Sequence, residues 1–190
     1  MRTWLALGIA TAATIAWLAR PRPVESAPPP PTPRTTVPPK QLTVLAFKRE
    51  RQLEVWGDGV RLATWPILGA SGGPGPKRRE GDRQVPEGIY RLTTLNPQSA
   101  HHLSIRVDYP DAEDRAHGCT GGDIYVHGGS ASIGCIAIGN GPIEHLFALA
   151  KAASKREIII APSRAMDTPG AEPWIERRYG RIRDALARFR

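Results

Sequence analysis

The stretch Gly121–Asn140, GGDIYVHGGSASIGCIAIGN, holds the densest run of chemistry-bearing residues in the chain. Its first part, Asp123 to Val126, is β-type sequence that delivers His127 to a strand end; a glycine-rich turn then brings back Cys135, eight positions later. An ordinary thiol, with a pKa near ~8.5, is only slightly ionised at neutral pH, and a neighbouring imidazolium lowers that value. Cys135 is therefore the candidate nucleophile and His127 its base, which would later return the proton to a leaving amine.

Glycines at 128, 129 and 134 let backbone amides come close to a reacting carbonyl. The N–H groups of Gly134 and Cys135 are the expected oxyanion donors, each worth roughly 3 kcal/mol of barrier where such donors have been removed. No carboxylate stands at a spacing suited to orient His127, so the Gly128 carbonyl is the candidate. The competing reading is a buried structural thiol beside a satisfied strand histidine.

Working outward, Leu42–Phe47, Gln52–Trp56 and Arg61–Ile67 read as three strands, with Asp58-Gly59 supplying the positive φ of a tight hairpin. Residues 69–84 read as a long loop. Further strands are expected around Pro86–Tyr90 and over Leu103–Val107, Ile124–His127 and Glu157–Ile160. One helix is expected from Pro142 to about Ala153, with Ile143, Leu146, Phe147 and Ala150 on one face. A second begins near Pro173 and sets Ile175, Tyr179, Ile182, Leu186 and Phe189 on one stripe with arginines opposite. That stripe suits docking on its own domain, the alternative being contact with an anionic surface.

Arg2 precedes sixteen uncharged residues from Trp4 to Ala19, the form of an export signal or short membrane anchor over 1–20. Nine prolines between Pro21 and Pro39 make 21–40 a polyproline-type spacer. The folded unit is expected over 41–165, followed by a basic amphipathic helix at 166–190. The net charge is +8, but Arg177, Arg178, Arg181, Arg183, Arg188 and Arg190 crowd the last stretch. No zinc-finger spacing, basic heptad or RNA-binding signature accompanies it, which argues against nucleic acid. Two cysteines are too few for a disulfide scaffold and the wrong pattern for zinc.

VHGGSASIGC resembles the signature of the L,D-transpeptidase (YkuD-type) family, in which a strand ends in His-Gly and a later Ser-x-Gly-Cys supplies the nucleophile. VPEGIY at 85–90, LNPQSAHHLSIRVDYPDAEDR at 95–115, GGDI at 121–124 and IEHL at 143–146 resemble its YafK-like branch. The resemblance implies a mainly β domain with flanking helices, a sandwich or open barrel, exported to the cell envelope and acting on peptidoglycan stem peptides without metal or cofactor. Carried over, Cys135 is nucleophile, His127 base and Gly128 the orienting carbonyl, while Ser132 shapes the loop. His102 and Tyr109 are carried as substrate-binding candidates, and Asp111 and Asp114 as solvated turn residues. Cys119, in His117-Gly118-Cys119, is assigned no catalytic role.

One departure is plain: Ala137 stands where the common pattern has an arginine. Members of the branch share the small residue, and some hydrolyse a protein–peptidoglycan link. The activity the family resemblance implies is transpeptidation during wall assembly or remodelling, and this departure bears on its acceptor and outcome. Its rivals are an amidase that releases diaminopimelate-linked protein or stems, and an inert wall-binding module.

Overall fold

A computed structural model describes residues 37–70, 72–73 and 75–189. The expected signal or anchor and most of the proline spacer lie outside the described residues. Eight strands run β1 (Gln41–Phe47), β2 (Gln52–Gly57), β3 (Val60–Pro66), β4 (Gly88–Asn96), β5 (Ser104–Val107), β6 (Tyr125–His127), β7 (Ile136–Ala137) and β8 (Lys155–Ala161). The helices are α1 (Ala112–Ala116), α2 (Asn140–Ala152) and α3 (Pro173–Leu186). Among the described residues no helix is long and apolar enough to cross a membrane.

The meander read from the sequence forms as β1–β3, and Asp58 and Gly59 take φ of 48° and 83° at its hairpin. Asp58 also ties down the chain's entry, accepting the N–H groups of Lys40 and Gln41. Pro39, just ahead of β1, is buried against Gly57.

The strand order is β3-β2-β1-β8-β4-β5-β6-β7, with β1–β8 and β6–β7 parallel. The sheet turns at β4, whose first half, Gly88–Arg91, pairs with β8 while Leu92–Asn96 pairs with β5. A register shift between Leu92 and Leu95 marks the bend, as a bulge does. Beyond β3, Gly69 bridges to Ala137 of β7, so the two ends of the sheet nearly meet. Of the two shapes expected, the open barrel is the one that forms.

Strands β1 and β2 are buried on both faces, because one face lines the barrel and the C-terminal region covers the other. There the ring of Phe189 meets Trp56 edge-on at 5.2 Å. Ile175, Tyr179 and Ile182 of α3 are buried, so the apolar stripe docks on its own domain.

One arginine departs from the expected solvent face. Arg178 is 3% exposed and pairs with Asp111 at 3.2 Å, Glu113 at 2.8 Å and Asp114 at 2.5 Å. Asp111 and Asp114 are consequently not solvated turn residues. They form a reciprocal capping box on α1, a helix absent from the expectations, and Asp114 is 1% exposed. Beside them the buried Glu87 pairs with Lys48 at 2.7 Å and accepts the Tyr179 hydroxyl.

Candidate active site

Strand β6 sits between β5 and β7, with His127 opposite Ser104 on one side and Ala137 on the other. Side chains two positions apart on a strand share a face. Cys135, two residues before Ala137, therefore falls on the same side as His127, one step back along the edge. Both line a cleft of about 580 Å³ together with Asn96, Ser99, His101 and Tyr125. The imidazole is 3% exposed, and the cysteine is half-buried.

The Nδ1–H of His127 donates to the Gly128 carbonyl at 2.6 Å, the orienting contact expected from the sequence. That fixes the tautomer and leaves Nε2 as the basic nitrogen. A side chain at Gly128 would meet the His101 carbonyl at 2.6 Å and Asn140 Oδ1 at 2.8 Å, so glycine is required there by close approach. Asn140, the first residue of α2, also accepts the Gly129 N–H at 2.9 Å and so ties the turn to the helix. Its place at the end of the glycine-rich stretch was the only sequence signal for that role.

On the cysteine side, Ser132 Oγ accepts the Cys135 N–H at 3.0 Å. The bond closes the loop just before the sulfur and engages the Cys135 N–H. The thiol itself donates to the Asp123 carbonyl at 3.4 Å. From outside, Gly69 presses on the loop: a Cβ there would stand 2.6 Å from the Ser130 carbonyl. Ala137, in the place of the family arginine, is fully buried.

The electrostatics differ from the ion pair anticipated. Burial pushes the Cys135 thiol up, Asp123 adds to that, and hydrogen bonds from the Tyr125 backbone and Ser132 oppose it. Burial likewise holds His127 below the ordinary histidine range, against the Gly128 carbonyl. Both shifts favour the uncharged forms, thiol and neutral imidazole.

Two sequence candidates lie elsewhere. Tyr109 is 3% exposed, stacks edge-on against Tyr90 at 6.0 Å and directs its hydroxyl to the carbonyls of Lys77 and Thr120. It is a core residue, because an aromatic ring beside the capped α1 fills the space between that helix and β4. His102 turns from the cleft to pair with Glu144 of α2 at 2.6 Å, and its neighbour His101 lines the wall instead. Cys119 is buried and unpaired, and His117 beside it stacks flat on Trp174 at 4.3 Å. Among the described residues no cluster of three or more His, Cys, Asp or Glu could hold a metal ion.

A sheet curled around one core, with a thiol and an oriented imidazole lining the same cleft at its edge, defines a mostly β domain. The chain belongs to the YkuD family, the L,D-transpeptidase catalytic domain, which matches residues 41–160. It is similar to YafK of Escherichia coli (strain K12), with 40% identity over 107 residues covering 53% of this chain and 44% of that protein. The match thus spans less than half the length of that relative. Among solved structures it is similar to the helical cell shape determining protein Pgp2 from Campylobacter jejuni, with a TM-score of 0.55 and 26% identity over 65% of this chain and 48% of that one. Bd1075 of Bdellovibrio bacteriovorus shares the fold at a TM-score of 0.51 and 21% identity, over 82% of this chain and 58% of that one.

Proposed function

We propose that this chain is a peptidoglycan L,D-transpeptidase that works in the cell envelope through a Cys135 acyl-enzyme. The observation that carries the reading is the His127–Gly128 contact at 2.6 Å on the cleft that also holds Cys135. With both groups neutral at rest, the thiol proton passes to His127 Nε2 as sulfur attacks, and no preformed thiolate is needed. The attacked carbonyl belongs to the L-centre of a diaminopimelate residue in a stem peptide. A C–S bond forms, the C–N bond to D-alanine breaks, and the leaving amine takes the proton from His127. An amine of a second stem then attacks the thioester, His127 accepts its proton, and the sulfur leaves and is reprotonated.

The surroundings of the loop support a two-substrate reaction. A second concavity of about 420 Å³ lies on its other side, lined by Lys77, Glu80, Arg83, Ile133 and Gly134. Ile133 is 74% exposed and stands at the rim of both spaces. One space suits the acyl donor and the other the incoming amine.

The test is intact-mass spectrometry after incubation with purified muropeptides or a carbapenem. Wild type and Cys119→Ser gain an acyl adduct, and Cys135→Ala does not. A cross-linked muropeptide product marks transpeptidation, whereas a shortened stem alone marks hydrolysis. Absence of any adduct on wild type would defeat the enzyme reading.

A further inference from the structure

The turn before β5 brings a second imidazole to the cleft. His101 donates its N–H to Ser99 Oγ at 3.2 Å and accepts the Leu103 N–H on its carbonyl at 3.0 Å. The next residue, His102, takes φ of 75°, a left-handed conformation that disfavours a non-glycine residue. The Glu144 contact to the His102 ring holds the turn from the other side. What the turn delivers is the His101 ring, its centroid 4.6 Å from that of His127 and tilted by 35°. The His101 carbonyl also abuts the α-carbon of Gly128, whose own carbonyl orients the base.

We infer that His101 is a positioning residue for the base: its ring, packed on that of His127, fixes the imidazole plane and disfavours a charge on it, leaving His127 free to accept the thiol proton. Two imidazoles at this separation repel if both are charged, so at most one holds a proton readily. The same repulsion adds to burial in keeping His127 below the ordinary histidine range. The ionisable groups around the pair are Cys135 and Asp123 on the flanking loops, Tyr125 on β6, Arg106 on β5, and Glu144 on α2, already engaged by His102.

The inference rests on the proposed role of His127 as base to Cys135, and the test separates the two. In the full chain, the His127 ring is titrated by NMR for wild type, His101→Phe and His101→Gln, alongside the pH dependence of Cys135 acylation by a carbapenem. Phe keeps the packed ring without a titratable nitrogen; Gln keeps polarity without ring or titratable nitrogen. In both variants His127 is expected to protonate at higher pH than in wild type, and the acid limb of acylation moves the same way. A midpoint unmoved in both variants, or moved in His101→Gln alone, overturns the inference. A midpoint that moves while wild-type Cys135 accepts no acyl group upholds the His101–His127 relation and defeats the catalytic reading.

Discussion

Ser132 Oγ and the backbone N–H of Cys135 are joined by a 3.0 Å hydrogen bond that closes the loop immediately before the sulfur. The hydroxyl also lowers the thiol's proton affinity, in opposition to burial. Ser132→Ala removes both effects. Its thiol alkylation profile with iodoacetamide should move to higher pH than that of wild type, while urea unfolding changes by about 1 kcal/mol, the usual contribution of one such bond.

The neutral resting pair makes its own prediction. Burial raises the thiol and depresses the imidazole, so thiolate accumulates only above the ordinary cysteine range. Iodoacetamide labelling of Cys135 should be slow at neutral pH and climb in a single alkaline step. A plateau already present at pH 6–7, on the order of the range of thiolate–imidazolium pairs, would contradict the neutral pair.

The two glycines after His127 should behave differently. Gly128→Ala brings a methyl group against the His101 carbonyl and Asn140, which displaces the carbonyl that orients the base. Acylation should fall by roughly 100-fold, the effect of small displacements in a reacting geometry. Gly129 has open space but φ of 70°, so Gly129→Ala should cost about 1 kcal/mol of stability with a smaller effect on rate. Stopped-flow acylation by a carbapenem and urea titration measure the two quantities.

Arg178 and Arg181 share Glu113 yet should differ sharply in unfolding experiments. Arg178→Ala strands the buried Asp114 and should lose about 3–5 kcal/mol. Arg181, 53% exposed, should lose less than about 1 kcal/mol on the same substitution.

Much of the barrel was legible because its signals are local. Short β-type runs and Asp58-Gly59 marked β1–β3, and the glycine-flanked His127 and Cys135 marked the cleft. The rest depends on contacts distant in sequence. Helix α1 has five residues, too few for a helical period to register, although Asp111 and Asp114 at capping-box spacing were visible. Nothing in the α3 pattern separates Arg178 from its neighbours, because its burial is set by Asp114, 64 positions away. Choosing between His101 and His102 required the left-handed backbone at the second, which sequence alone does not display.

The link from Arg178 to Asp114 also bears on the order of synthesis. A chain released residue by residue completes β4, α1 and the Cys135 loop before the guanidinium exists to neutralise that carboxylate. Until then the aspartate must stay hydrated, and the sheet beside it cannot close around it. Closure of the sheet around Asp114 is therefore expected to wait for the tail, and a nascent chain halted at residue 160 should remain open to protease.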